Sequence, residues 1–152
     1  TLSSATMTVR VVESIKLNGT EQGAINTKTI SSINEISKRI VTITTTEATI
    51  ATFGIAASQG TYIAANVRYI RFTNKDDTNF IMLTFKDEDN TEFRVKVDAG
   101  QSFIYNGDNA GGLVDTMKSN GTALSSGLAD LYDITADADT ASCDLEMFIA
   151  SV

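Results

Sequence analysis

Residues 68–105, RYIRFTNKDDTNFIMLTFKDEDNTEFRVKVDAGQSFIY, decide the fold. Three apolar runs are separated by two charged, Asn/Asp-rich turns. From Val67 to Thr73, Ile70 and Phe72 share one side and Tyr69 and Arg71 the other. From Phe80 to Lys86, the inward set is Ile81, Leu83 and Phe85. From Glu92 to Asp98, Phe93, Val95 and Val97 alternate with Glu92, Arg94 and Lys96. A period of two marks half-buried strands. Asn74–Asn79 is expected to be a turn whose Asn and Asp side chains bond their own backbone. Asp87–Asn90 makes a second turn, and Ala99-Gly100 leads into a strand at Ser102–Tyr105.

Working outward, Thr6–Leu17 reads as a strand with Met7, Val9, Val11, Ile15 and Leu17 on one face and Thr8, Arg10, Ser14 and Lys16 opposite. Asn18-Gly19 then turns the chain. Residues 20–37 are polar with spaced isoleucines, which predicts one short strand near Ile30 inside a loop; a helix over Ser31–Lys38 competes. The β-branched stretch that follows predicts strands at Ile40–Thr45 and Thr49–Ala56 joined by a tight turn. Ser58-Gln59-Gly60 is a loop. Residues 106–130 are rich in Gly, Asn and Ser and read as one long loop of the kind that carries function or moves. Strands follow at Leu131–Ala136 and Cys143–Ala150, the latter with Cys143, Leu145, Met147 and Ile149 on one face. Eight or nine short strands with no repeat predict an all-β chain closed as an antiparallel β-sandwich, a jelly roll being one form of it. A small barrel is the alternative. Residues 1–8 read as an N-terminal arm and 9–152 as a single domain.

A chain of 152 residues with 42% hydrophobic residues can build one real core. The net charge of -7 and the scattered Lys and Arg argue against nucleic acid and against an anionic membrane surface. No apolar run approaches the roughly 20 residues of a membrane span. The N-terminus shows no signal-peptide pattern, and an initiator Met is expected to have been removed before Thr1. There is no His, Pro or Trp. Without His the commonest general base and transition-metal ligand are missing, and so are Ser-His-Asp and Cys-His nucleophile systems. The single cysteine, Cys143, cannot form an intramolecular disulfide and suits a reducing compartment.

Candidate chemistry is sparse, and no catalytic, cofactor or metal residue is assigned. The acidic groups Asp76-Asp77, Asp87-Glu88-Asp89 and Asp133 with Asp137 and Asp139 offer oxygen ligands of the kind Ca²⁺ takes, but none matches a calcium loop. The first two fall where solvated turns belong. A carboxylate pair for glycoside hydrolysis is not marked out. Asn109–Gly112 lacks the Lys-Ser/Thr ending of a phosphate loop. Asn18-Gly-Thr20 and Asn120-Gly-Thr122 match a glycosylation sequon and also read as turns. Cys143 reads as a small buried hydrophobe. Thr42, Thr44 and Thr46 read as an exposed strand face or a contact between subunits.

The pattern RYIRFTNKDDTNFIMLTF…FRVKVDAGQSFIY, with Asn74, Asp76 and Asn79 and then Ala99–Phe103, resembles the small β-sandwich structural proteins of tailed bacteriophage virions. The closing CDLEMFIAS resembles their last strand. The resemblance covers the last two-thirds of the chain and carries no catalytic residues. It implies a capsid decoration (cement) protein on the virion surface, assembled in the host cytoplasm. Its partners would be the major capsid protein and copies of itself, as a dimer or trimer, with no nucleic acid and no membrane. A neck, tail or fibre component is the neighbouring alternative, and a carbohydrate-binding β-sandwich a more distant one. The Pro-free backbone keeps every donor available for strand addition, and residues 1–8 and 106–130 are the expected arms.

Overall fold

A computed structural model of the chain describes residues 3–88, 90–106 and 131–152. In chain order the strands are β1 (Ala5–Val12), β2 (Lys16–Leu17), β3 (Thr20–Glu21), β4 (Ile25–Ile33), β5 (Glu35–Ile43), β6 (Ala48–Gly54), β7 (Thr61–Ile63), β8 (Val67–Asn74), β9 (Ile81–Asp87), β10 (Glu92–Val97), β11 (Ser102–Asn106), β12 (Leu131–Ala138) and β13 (Cys143–Ser151). One 3₁₀ turn, Ala64–Asn66, precedes β8.

Two sheets form the body, in the orders β10-β9-β12-β6-β7 and β11-β8-β13-β5. All pairings in them are antiparallel except the short parallel addition of β7 to β6. The connectivity is a jelly roll. Of the eight strands from β5 onward, leaving out β7, the first pairs with the last (β5–β13), the second with the seventh (β6–β12), the third with the sixth (β8–β11), and the fourth with the fifth (β9–β10). That is one long hairpin rolled upon itself, joined along the roll by β8–β13 and β9–β12.

The inner faces carry the apolar halves of the alternating strands. Ile70 and Phe72, Ile81, Leu83 and Phe85, and Leu145, Met147 and Ile149 are all buried together with Ile134 and Cys143. Phe85 is the hub: its ring stacks on Phe93 at 4.8 Å and meets Phe72, Phe103 and Tyr105 at 6.0, 5.6 and 5.5 Å. The asparagine-rich turn after β8 is built as its sequence predicts. Buried Asn74 donates through Nδ2 to the carbonyls of Asn79 (2.9 Å) and Val97 (3.0 Å), and its Oδ1 accepts the Asp76 amide at 2.9 Å.

Outside the body, β1 and β4 form a separate antiparallel pair that β2 and β3 extend to a tip. Here the expectations need correction. The segment around Ile30 is the nine-residue strand β4, and Ser31–Lys38 is β-structure on either side of Asn34 with no helix. The cause is a bulge. Ala5 pairs with Ile33 but Met7 with Ile30, and Ser32 takes φ 62. The extra residue brings Ile30 and Ile33, three apart, onto one buried face, which breaks the period of two that sequence reading follows. Strand β1 runs Ala5–Val12, across residues 8 and 9. Thr44 and Thr46 lie in the turn after β5 instead of on its face. The loop expected over 106–130 lies outside the described residues beyond Asn106, which ends β11.

Candidate interaction surfaces

Among the described residues, the largest departure from a compact sandwich is the hairpin of residues 5–33. Its tip is a two-residue turn, Asn18 (φ 51) and Gly19 (φ 80), between the paired Leu17 and Thr20. Two successive positive φ values are the type I′ geometry that Asn-Gly favours. Below the tip, the Glu21 carboxylate accepts the amides of Ile15 (3.0 Å) and Gly23 (2.8 Å) through one oxygen. The strands cross so closely there that a Cβ on Gly23 would lie 1.9 Å from the Glu13 carbonyl oxygen.

The hairpin has two unlike halves. Proximally, Met7, Val9, Ile30 and Ile33 pack on Tyr69, Phe148 and Ala150, the outer face of the four-stranded sheet. Tyr69 meets Phe148 edge to face at 6.0 Å. Distally, residues 11–22 and 24–29 are all exposed. Val12, Ile15, Leu17 and Ile25 show 54–67% of their surface to solvent. Isolated two-stranded ribbons are marginal in water, and aliphatic groups exposed together make the distal hairpin a candidate contact surface.

The proximal half leaves a groove of about 410 Å³ against the sheet, lined by Met7, Val9, Tyr69, Arg71, Ile104 and Phe148. Arg71 organises its floor. Its guanidinium donates to Glu146 at 2.6 Å, lies 5.9 Å above the Phe148 ring, and bonds the Thr73 hydroxyl. That donation, with the neighbouring positive charges, holds the Glu146 carboxyl below its usual range. Burial pushes the Tyr69 phenol up, against a smaller opposite pull from Arg71. On the other side of the same sheet face, past the hairpin, Ile36 and Ile40 of edge strand β5 remain exposed.

The outer face of the five-stranded sheet is polar. Asp133, Thr135 and Asp137 follow one another along β12, with Thr84 of β9 opposite Thr135. Among the described residues Thr84 Oγ1, Thr135 Oγ1, Asp133 Oδ1 and Asp137 Oδ1 are buried without a hydrogen-bond partner. Arg94 pairs with Glu47 and approaches Asp137 at 3.9 Å. Desolvation raises the pKa of Asp133 first of all; Lys86 opposes this while Glu92 and Glu47 add to it.

The acidic groups singled out in the sequence do not converge. The Asp76 carboxylate is taken up by the amides of Asn79 (2.6 Å) and Thr78 (3.0 Å), which lower its pKa. Asp87 accepts the Thr91 amide at 2.7 Å in the turn after β9, and Asp89 lies outside the described residues. Asp133 and Asp137 stand four residues apart on one strand, roughly 13 Å, beyond the 5–9.5 Å or so that a glycosidase pair spans. No three Asp, Glu or Cys side chains group as metal ligands among the described residues. Asn109–Gly112 and Asn120 lie outside those residues. Cys143 is buried, and desolvation followed by Asp76, Asp139 and Asp144 pushes its thiol up.

No family model matches the chain, and no curated protein or solved structure matches it either.

Proposed function

We propose that this chain is a non-enzymatic structural protein of a virus particle, a decoration (cement) protein that binds and stabilises the major capsid protein shell of a tailed bacteriophage. The observation that carries the reading is the hairpin, whose base is welded to the jelly roll while its distal half presents Val11, Val12, Ile15, Leu17 and Ile25 to solvent. A chain that spends residues 5–33 on such an arm invests in contact with other protein. Strand ribbons with free edges and alternating side chains recognise neighbours by strand addition. Jelly rolls serve viral capsid and lectin domains alike, so the fold does not choose between them. The choice of a phage particle rests on the resemblance of Asn74–Asn79 and Ala99–Phe103 to virion β-sandwich proteins.

The test is the copy number of the chain in gradient-purified virions, by quantitative mass spectrometry against the major capsid protein. A ratio near one to one, or a simple fraction of it, is expected for a shell-covering protein. About a dozen copies would move it to the neck, tail or fibre. Absence from particles would overturn the structural reading.

A further inference from the structure

We infer that the distal hairpin docks on a second copy of this chain, on the uncovered remainder of the outer face of the four-stranded sheet, around Ile36 and Ile40. The inference deepens the structural reading above and rests on it for its biological setting. Three observations carry it.

The first is continuity of chemistry. The proximal hairpin already lies on this face through aliphatic-to-aromatic contacts with Tyr69, Phe148 and Ala150. Ile36 stands directly across from Ala150, and Ile40 lies four residues further along the same strand face. Both remain about 60% exposed, at 59% and 61%. The face is therefore half covered by the chain's own hairpin and continues beyond it with Ile36 and Ile40, with Lys38 between them and Glu146 across from Ile40. The distal hairpin carries matching groups that pack on nothing among the described residues of its own copy.

Charge supplies the second observation. Residues 1–33 contain Arg10, Lys16 and Lys28 against Glu13 and Glu21, a net of +1. The whole chain is -7, so the remainder is -7 - 1 = -8. A hairpin without net negative charge meets less repulsion from the acidic body of another copy than a second body would, while the receiving strand itself carries Glu35, Lys38 and Arg39, a local net of +1.

The third is the state of the receiving edge. Strand β5 runs nine residues, pairs only with β13 among the described residues, and contains no Pro. A long free edge beside exposed isoleucines is the arrangement that proteins normally block or pair. A ribbon lying along it covers both the edge and Ile36 and Ile40. Exchange of hairpins in both directions closes a two-fold assembly, while head-to-tail passage closes a ring.

The experiment is sedimentation velocity of the full chain, of Leu17→Asp in the hairpin, and of Ile40→Asp on the receiving face. Both sites are more than half exposed, so each variant is expected to keep the wild-type melting temperature within a few degrees. The wild type is expected to form a closed oligomer at micromolar concentration, and each variant alone to sediment as a monomer. A one-to-one mixture of the variants restores one intact contact, from the Ile40→Asp hairpin to the Leu17→Asp face, and is expected to yield a mixed oligomer weaker than the wild type by at least about tenfold. A wild type that stays monomeric up to about 100 μM, variants that remain oligomeric, or a mixture that stays monomeric would each overturn the inference. None of these results alters the virion copy number, and absence from virions would leave the self-association intact.

Discussion

Glu21 and Gly23 hold the hairpin together at its waist: the Glu21 carboxylate accepts the Gly23 amide at 2.8 Å and, with the same oxygen, the Ile15 amide at 3.0 Å. The side chain supplies the acceptor that an irregular crossing of strands would otherwise lack. Gly23 is required for a different reason, since a methyl group there meets the Glu13 carbonyl oxygen at 1.9 Å, which is backbone and cannot swing aside. Gly23→Ala is therefore expected to prise apart the Glu13–Ala24 pair, now bonded at 2.9 Å. Hydrogen exchange at Glu13, Ile15 and Gln22 should accelerate by about tenfold or more. The melting temperature should move by no more than about 2 °C, because the distal hairpin stands away from the core. Glu21→Ala should act in the same direction, and Glu21→Gln should recover most of the protection by keeping one acceptor oxygen. A large loss of global stability would refute the separation of hairpin and body.

Phe85 is the residue on which the two sheets meet. It contacts four rings, one stacked and three inclined, and is fully buried. Phe85→Ala should cost about 3–5 kcal/mol in urea unfolding, the range for deleting a buried aromatic side chain. Phe85→Leu, which leaves a smaller hole, should cost about 1–2 kcal/mol. Equal losses for both would mean that ring geometry matters more than filled volume.

The body was legible in the sequence because its strands obey one rule. Ile70/Phe72, Ile81/Leu83/Phe85 and Leu145/Met147/Ile149 alternate without interruption, and each set is buried as read. The hairpin was less legible because β4 carries its two buried residues, Ile30 and Ile33, at a spacing of three across a bulge at a residue with φ 62. A spacing of three mimics a helix, which is why Ser31–Lys38 attracts that reading. The one clear signal was Asn18-Gly19, which marks a two-residue turn and so implies two paired strands around it. The polar row Asp133, Thr135, Asp137 was invisible for another reason. Alternation says which face a residue takes, and only the three-dimensional packing around β12 says that those oxygens are shielded from water.

Asn74 is a fully buried side chain that donates to two carbonyls and accepts one amide. Asn74→Asp preserves shape and reverses the chemistry, setting a carboxylate oxygen against the carbonyls of Asn79 and Val97. The expected cost is about 3 kcal/mol at pH 7, the penalty of an unpaired buried charge. Below about pH 4 the substituted carboxyl takes up a proton and can donate to one carbonyl, so the gap to wild type should narrow. Urea midpoints at the two pH values decide the matter, and a gap that widens in acid would contradict this account of the turn.

Asp133 supplies the opposite case, a native carboxyl that the fold prefers neutral. Its folded pKa lies above the ordinary value because burial disfavours its charge, with Glu92 and Glu47 adding to the effect and Lys86 opposing it. A carboxyl raised in this way binds its proton more tightly in the folded state than in the unfolded one. Its favourable contribution is complete below the unfolded pKa and is lost as pH rises through the folded value. As pH rises, a charge on Asp133 therefore comes at a cost, which Asp133→Asn removes while keeping a side chain that can bond the neighbouring hydroxyls. The variant should melt about 2–4 °C above wild type at pH 7. That advantage should vanish below about pH 4, where both side chains are neutral. Melting curves from pH 3 to pH 8 test this directly. If Lys86, directly opposite in the strand register, instead stabilises the charge in solution, the variant will melt lower at pH 7, and the row on β12 will have to be understood as an ion-paired surface.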